Sequence, residues 1–347
     1  MSYSKAGVNL KKIKSLQSDV GRIIAPTFIL NKKSEVISGF GHYAGLIRVG
    51  SYLLALHTDG VGTKIMIADL VGKYDTIGID CIAMNVNDVI CVGAEPIGFL
   101  DYIALASPTK NLVEQLMKGL VEGAKQSEMP IVGGETAIVP DLLAPGKNYS
   151  FDLVGSVLGI VKKRSVITGT SIKAGDVIVG LESNGLHSNG YTMVRKVLLS
   201  KYTIIDQPDL MKNSLGKELL RPTRIYVKPI MEIIKSLDKD VHGLAHITGG
   251  SFTKLRRLNT HVNFYLNALP CPADIFRQIQ YEGNINDTEM YSTFNMGIGF
   301  CIILPHEYVE TVTRICKKSG INAFEIGIVT KGEGHVSIAL NEKNLIL

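Results

Sequence analysis

The stretch TDGVGTK, residues 58–64, is the part of this sequence that decides the fold and the chemistry to expect. It follows an apolar run at residues 53–56 and places a carboxylate, two glycines and a lysine at the end of a predicted strand. A strand that leads into a glycine-rich turn with an acid brings backbone donors and a metal ligand near a phosphate. We therefore predict a phosphate-handling α/β protein with Asp59 and Lys64 at its site.

The two common phosphate motifs are absent from this stretch. The P-loop requires Gly-Lys followed by Ser or Thr, whereas the order here is Gly62-Thr63-Lys64. The dinucleotide fingerprint also fails, because its third glycine is missing. The sequence therefore combines phosphate-site residues with a less common scaffold.

The bulk composition is that of a globular protein with a sizeable core. The chain has 347 residues, of which 46% are hydrophobic and 20% charged, and this length suits one large or two ordinary domains. The net charge of +5 is mild, and no basic stripe carries interleaved aromatic residues. We therefore expect no nucleic-acid partner.

Cysteine usage and hydropathy predict a cytoplasmic protein. The five cysteines form no CxxC pair, which favours buried thiols in a reducing compartment. Residues 1–14 lack an apolar signal region, and no uncharged apolar run approaches the roughly 18 residues of a membrane helix. We expect no membrane partner.

Periodicity predicts alternating strands and helices in both halves of the chain. Helices are predicted over residues 75–91, 108–126, 191–199, 222–236 and from about 251; strands are predicted over residues 51–56, 95–106, 129–132, 152–161, 176–181, 262–266, 297–304, 323–329 and 335–340. A basic, polar break at residues 162–175 separates the halves. The fold class is therefore α/β, of the α+β type, with domains at residues 1–165 and 170–345.

Three acids stand beside turn-forming residues and are candidate metal ligands. Asp59 lies in TDG, Asp88 in NVNDV and Glu135 in GGET. Mg²⁺ is held by a few carboxylates together with substrate phosphates, so three acids brought together at strand ends would suit it. The alternative is structural: Asp59 would cap a turn, Asp88 would cap or pair on a helix, and Glu135 would be a surface residue.

Two further turns each lead into a predicted helix whose free N–H groups could hold an anion. In LHSNGY, His187 is followed by Ser188, Asn189 and Gly190; in AHITGG, His246 is followed by Thr248, Gly249 and Gly250. His187 could donate to a phosphoryl oxygen or take a proton, and the alternative is that Ser188 or Asn189 is an ordinary N-cap. Two such turns in one domain favour an extended anionic ligand.

A series of motifs resembles one enzyme family along nearly the whole chain. In order they are SYxxAGV, GFG, TDGVGTK, YDTIGID, AMNVND, GAEP, FLDY, GGET, HSNGY, PTRIYVK, AHITGG and TFNMGIG. Together they resemble the phosphoribosylformylglycinamidine cyclo-ligase family of the AIR synthase-related ATP-binding superfamily. PTRIYVK and TFNMGIG are more specific to that family, while TDG and ND are shared across the superfamily.

The resemblance implies ATP-dependent ring closure of formylglycinamidine ribonucleotide in purine biosynthesis, with Mg²⁺. It also implies a homodimer in which the N-terminal sheets of two chains pair into a barrel-like structure. By the same resemblance, Asp59, Asp88 and Glu135 hold Mg²⁺–ATP, Lys64 meets phosphate charge and His187 acts at the transferred group. The implied nucleotide and phosphate contacts are Gly60, Gly62, Thr63, Asn87, Ser188, Asn189, Gly190, Thr248, Gly249 and Gly250.

The chain departs from the family pattern at a few positions. Ser251 replaces a third glycine after HITGG, His57 precedes TDG, and Lys32 and Lys33 match the family's basic arm loosely. Two alternative functions stay open: a related small-molecule kinase, such as a thiamine-monophosphate kinase, and a nucleotide-binding protein that has lost catalysis.

Overall fold

The protein has one mixed sheet in each half of the chain. The computed structural model describes residues 10–31, 33–38, 41–143, 151–340 and 343–347. The motif SYxxAGV, Lys32 and the first two residues of GFG lie outside the described residues. Within the described part of the chain, no helix is both long and apolar enough to cross a membrane.

The N-terminal half forms a six-stranded sheet in the order β1-β2-β3-β6-β4-β5. All neighbouring strands are antiparallel except β4 and β5, which are parallel. The elements are β1 Glu35–Ser38, β2 Gly45–Val49, β3 Tyr52–Gly60, β4 Glu95–Leu105, β5 Ile131–Ile138, β6 Phe151–Lys162, α1 Leu10–Ile24, α2 Ile65–Val71, α3 Asp75–Ile90 and α4 Lys110–Ser127.

Helix α3 is buried on nearly every side because it lies between the sheet and α4. Glycines make this close packing possible. A Cβ added at Gly159 of β6 would lie 2.4 Å from the Val89 side chain of α3, and one added at Gly119 of α4 would lie 2.2 Å from the Asp75 carbonyl oxygen. These contacts fix α3 against the sheet, and its last turn carries Asn87 and Asp88.

The C-terminal half forms a seven-stranded sheet in the order β13-β12-β9-β11-β7-β10-β8. Only β9 and β12 are parallel neighbours. The elements are β7 Val177–Glu182, β8 Gly243–His246, β9 Val262–Leu266, β10 Ile298–Leu304, β11 Ala323–Lys331, β12 Val336–Leu340, β13 Lys343–Ile346, α5 Tyr191–Leu198, α6 Leu215–Leu219, α7 Val227–Leu237, α8 Asp274–Gly283, α9 Asp287–Thr293 and α10 Val309–Lys318.

Several predicted boundaries differ from those of the structure. Strand β3 continues through Gly60, so Asp59 sits inside the strand rather than in a turn after it. The helix predicted from residue 222 begins only at Val227, and the one predicted near Ser251 is a 3₁₀ segment, Ser251–Arg257. The GGET motif, predicted as the end of a short strand, lies within β5.

Side chains of α3 explain the late start of α7. The backbone N–H of Thr223 donates to the Asp80 carboxylate at 2.7 Å, and that of Tyr226 donates to Asn87 Oδ1 at 3.0 Å. In a helix that began at residue 222, the Tyr226 N–H would donate to the Pro222 carbonyl. That N–H instead donates to Asn87, and the Pro222 carbonyl accepts from Asn184 Nδ2 at 2.9 Å, so the segment 222–226 is held outside the helix. It connects α3 to the C-terminal sheet.

Candidate active site

Asp59 faces α3 from the end of β3. It is paired in register with Gly155, whose position on β6 lies directly under α3, so both residues share the helix-covered face of the sheet. Asp59 Oδ1 accepts from the backbone N–H of Gly60 at 2.8 Å, and Asn85 Nδ2 donates to the Asp59 carbonyl at 3.1 Å. Burial, and then the charge of Asp88, raise the pKa of the Asp59 carboxyl.

Asp88 connects the two halves of the chain through its contact with His246. Its Oδ1 lies 2.7 Å from His246 Nδ1, and its Oδ2 lies 3.7 Å from His57 Nε2. Burial alone would raise the pKa of Asp88, but the charge of Lys254 and the hydrogen bond from His246 outweigh it and lower the pKa to about 2. Asp88 is therefore ionised at neutral pH, and His246 Nδ1 is the donor.

These two carboxylates fit a nucleotide-bound Mg²⁺. Within the described residues, no cluster of three or more His, Cys, Asp and Glu side chains could hold a metal ion. Mg²⁺ that arrives with a nucleotide needs only one or two carboxylates, because phosphate oxygens and water complete its coordination. Asp59 and Asp88 would supply that number of ligands.

Glu135 lies apart from these two acids. Asp59 pairs with Gly155, Gly155 with Asp101, and Asp101 with Gly134, so these four residues form one row on the helix-covered face. Glu135 is the next residue along β5 and points to the opposite face, where it is exposed. The structure therefore brings together two of the three predicted metal ligands within one chain.

Lys64 has internal partners. Its side chain is fully buried, its Nζ lies 2.7 Å and 2.9 Å from the two carboxylate oxygens of Asp80, and it donates to the Arg221 carbonyl at 2.6 Å. Asp80 also accepts from the backbone N–H and hydroxyl of Thr223. In this arrangement Lys64 ties TDGVGTK to the segment before PTRIYVK, and its predicted contact with phosphate stays a prediction.

His187 is buried and neutral. Burial lowers the pKa of its imidazole well below the usual value, and nearby cations act in the same direction. Its Nε2 accepts from the backbone N–H of Asn184 at 3.0 Å and of Arg224 at 3.5 Å, so the proton is on Nδ1. Nδ1 has no hydrogen-bond partner among the described residues. His187 can therefore offer a neutral N–H donor at Nδ1.

The three glycine-containing loops meet. Thr63 Oγ1 of TDGVGTK lies 3.4 Å from Oγ1 of Thr192, the residue directly after HSNGY. A Cβ on Gly249 of HITGG would lie 3.1 Å from Asn189 Oδ1 of HSNGY. The loops at residues 58–64, 187–191 and 246–250 therefore lie close together, and they carry Asp59 and the His246 partner of Asp88. The exposed Gly62 and the buried Gly190 both have positive φ, which suits glycine.

Ser251, the departure from the family pattern, is accommodated in this packing. It has a φ of +47° and is buried, and its hydroxyl donates to the Phe294 carbonyl, next to Gly190. A serine in the left-handed region is strained compared with a glycine. Its hydrogen bond satisfies the hydroxyl and joins HITGG to TFNMGIG.

Asn87 and Ser188 hold PTRIYVK. Asn87 Nδ2 donates to the Arg224 carbonyl at 2.8 Å, and Ser188 Oγ lies 3.0 Å from Thr223 Oγ1. Both residues were predicted from the sequence as ligand contacts, and here they position a motif of the chain itself.

Sequence reasoning missed Asp80 and Lys254. Asp80 lies in YDTIGID among apolar helical positions, and only the partners Lys64 and Thr223, distant in sequence, reveal its role. Lys254 follows HITGG in a basic run that resembles an exposed surface, yet it is buried against Thr248. A lysine at the inner position of a 3₁₀ turn gives no periodic signal in the sequence.

Comparisons with known proteins agree with this architecture. The family model described as AIR synthase related protein, N-terminal domain, matches residues 41–161, and the model for the C-terminal domain of the same family matches residues 173–339. The fold is shared with the crystal structure of thiamine-monophosphate kinase from Stenotrophomonas maltophilia K279a, at a TM-score of 0.61 and 18% identity over 91% of this chain and 94% of that one. Hydrogenase maturation protein HypE in complex with ATP has a TM-score of 0.60 and 18% identity, covering 85% of this chain and 84% of that one.

Curated relatives match over almost their full length. A phosphoribosylformylglycinamidine cyclo-ligase from Methanocaldococcus jannaschii is 48% identical, covering 100% of this chain and 99% of the relative. The protein of the same name from Pyrococcus furiosus is 45% identical, covering 96% of each.

The two sheets, the three converging loops and the family models define a two-domain member of the AIR synthase-related proteins, with mixed α/β content. The sequence identity to the curated relatives shows which family within this class the chain belongs to. The chain belongs to the phosphoribosylformylglycinamidine cyclo-ligase family.

Proposed function

We propose that this chain catalyses the ATP-dependent ring closure of formylglycinamidine ribonucleotide to aminoimidazole ribonucleotide, with release of ADP and phosphate, in purine biosynthesis in the cytoplasm. One observation carries the proposal: TDGVGTK, HSNGY and HITGG contact one another and carry Asp59 and the His246 partner of Asp88, in a chain whose relatives of that name match it end to end.

The chemistry requires activation of a poor leaving group. The formyl amide oxygen attacks the terminal phosphorus of ATP, and ADP leaves with the electron pair of the broken P–O bond. The substrate's own amidine nitrogen then attacks the activated carbon, loses a proton, and phosphate departs with the former amide oxygen. Because the second step is intramolecular, the enzyme's main tasks are positioning and neutralisation of charge.

The residues of the chain divide these tasks. Asp59 and Asp88 would hold Mg²⁺, which neutralises phosphate charge when bound. Gly60, Gly62, Thr63 and Lys64 would lie along the nucleotide, and Asn87 would keep PTRIYVK in place beside it. Ser188, Asn189, Gly190, Thr248, Gly249 and Gly250 would contact the phosphate groups of the substrate or of ATP.

His187 would act as a donor to a phosphoryl oxygen and not as a base. Its Nε2 already accepts from two backbone N–H groups, and its Nδ1 proton has no partner among the described residues. Of the two roles that its sequence position suggests, this geometry favours donation.

A homodimer is supported by the open face of the N-terminal sheet. Leu56, Leu100 and Tyr102 project from this face and are each more than 40% exposed. A second copy that covers them would form the barrel-like dimer, with residues 1–165 as the dimerisation and ATP-binding domain and residues 170–345 as the second domain. Glu135 lies on the same open face, where it could contribute to a site shared by two chains.

The two carboxylates give a direct prediction for activity. Asp59→Asn and Asp88→Asn each remove a carboxylate charge with little change in shape, so we expect turnover to fall at least 100-fold while far-UV circular dichroism is unchanged. Exposed Asp141→Asn is the control and should keep wild-type turnover. Wild-type rates in both site variants would exclude these acids from the metal site.

The reaction itself is tested by measuring ADP release and imidazole product in parallel, with Mg²⁺–ATP and formylglycinamidine ribonucleotide. Equal amounts of ADP and aminoimidazole ribonucleotide would support the proposal. ADP without ring closure, or phosphorylation of thiamine monophosphate, would favour the kinase that shares this fold. ATP binding without turnover of either substrate would favour a non-catalytic nucleotide-binding protein.

A further inference from the structure

Lys254 occupies an unusual position at the junction of the two halves of the chain. It lies in the 3₁₀ segment that follows HITGG, and it is 8% exposed. Its ammonium donates to the Thr248 hydroxyl in that loop and lies 5.5 Å from the centre of the Tyr43 ring. A charged group is thus buried against the loop that the proposed function gives to phosphate binding.

A comparison with Lys64 reveals what Lys254 lacks. Each ammonium has three N–H donors. Lys64, which is fully buried, gives its donors to Asp80 and to the Arg221 carbonyl. Among the described residues, the Thr248 hydroxyl is the one hydrogen-bond acceptor of Lys254, and no carboxylate lies within ion-pair distance of it.

The charged groups around Lys254 do not fully compensate its buried positive charge. Asp88 and Asp59 exert a favourable field on it, and Arg257 an unfavourable one. Asp88, however, is already bonded to His246, and burial lowers the pKa of the Lys254 ammonium despite these acids. A buried cation without a paired anion is costly, and a ligand that brings negative charge would relieve this cost.

We propose that Lys254 binds a phosphoryl group of a ligand through the ammonium donors that Thr248 does not use. Lysine is a point charge that suits phosphate oxygens, and the ammonium is held by Thr248, the residue directly before Gly249 and Gly250 in the HITGG loop. The proposal rests on the proposed function, because both substrates of that reaction carry phosphate. The bound phosphoryl group belongs either to ATP or to the ribonucleotide.

The test compares the wild type with Lys254→Met, Lys254→Gln, Lys254→Arg and Arg256→Met, each by steady-state kinetics and thermal unfolding. Arg256 is an exposed cation in the same 3₁₀ segment and is the matched control. We expect both neutral variants to raise the KM of one substrate about 10- to 100-fold, the loss of one charged hydrogen bond. Lys254→Arg should recover part of this loss, and Arg256→Met should keep both KM values.

The outcomes separate the two phosphate sources and the two proposals. A higher KM for ATP assigns the phosphoryl group to the nucleotide, and a higher KM for formylglycinamidine ribonucleotide assigns it to the sugar phosphate. If Lys254→Gln folds and has wild-type KM values, the proposed role of Lys254 is wrong. This conclusion holds even if the kcat of Lys254→Gln falls or if Lys254→Met does not fold. A wild type that forms no aminoimidazole ribonucleotide refutes the proposed function instead.

Discussion

Single buried charges link the two halves of this chain. Asp80 of α3 accepts hydrogen bonds from Lys64 and Thr223, and Asp88 accepts one from His246, so these two carboxylates each hold one segment of the C-terminal half. The sequence made Asp88 a candidate because it stands beside a turn-like motif. It gave no reason to single out Asp80, because its partners are 16 and 143 residues away and only the folded chain brings them together.

Removal of the Lys64 charge should destabilise the protein strongly. Lys64→Met leaves a buried Asp80 with the Thr223 donors alone, so we expect the free energy of unfolding to fall by about 3–5 kcal/mol. Lys110→Met, which breaks the exposed pair with Glu114, should cost less than about 1 kcal/mol. Urea denaturation of both variants measures the difference, and equal small losses would mean that the buried pair contributes little.

The buried histidines should make stability depend on pH. The pKa of His187 is lowered by burial, so above about pH 6.5 the folded and unfolded states are both neutral at this residue. Below about pH 6.5 the unfolded chain takes up a proton that the folded chain does not, and stability falls as pH falls.

This effect can be measured by denaturation at pH 7.5 and pH 5.5. His187→Asn tolerates the left-handed backbone and should reduce the loss of stability over this range by about 1 kcal/mol relative to the wild type. His261→Asn, at an exposed position, should keep the wild-type pH profile. An unchanged profile in His187→Asn would show that this imidazole is protonated in the folded protein.

At the scale of elements, side-chain periodicity predicted the buried helices well. It failed where hydrogen bonds from residues distant in sequence determine the backbone conformation. Helix α3 begins at the predicted residue and α4 begins two residues later than predicted, because their apolar spacing reflects their own packing. Segment 222–226 was predicted as helix, yet the Tyr226 N–H, which a helix would pair with the Pro222 carbonyl, donates to Asn87 instead. No local pattern encodes such partners.

The crossing of α3 and α4 should not tolerate a methyl group. At Gly119 a Cβ would lie 2.2 Å from the Asp75 carbonyl oxygen, so Gly119→Ala should destabilise the protein by about 2 kcal/mol or more, although alanine normally stabilises a helix. Gly98→Ala is the control, because the nearest atoms there are at 4.0 Å. Thermal unfolding distinguishes them, and a Gly119→Ala protein as stable as Gly98→Ala would contradict this packing.

At the scale of the whole molecule, the open face of the N-terminal sheet is the main apolar surface that the proposed dimer would cover. Leu56→Asp places a charge in its middle, and we expect light scattering to report a monomer at micromolar concentration. Ile205→Asp also replaces an exposed apolar side chain, but in the other half of the chain, and should stay dimeric. A wild type that is itself monomeric would remove the dimer from the proposal.

The segment 222–226 has a consequence for how domain motion could be observed. The amide hydrogens of Thr223 and Tyr226 are shielded by side chains of α3, which belongs to the other half of the chain. They can exchange with deuterated water only when the two halves separate locally. The deuterium content of a single peptide spanning these residues would therefore report how often segment 222–226 separates from α3, without any mutation.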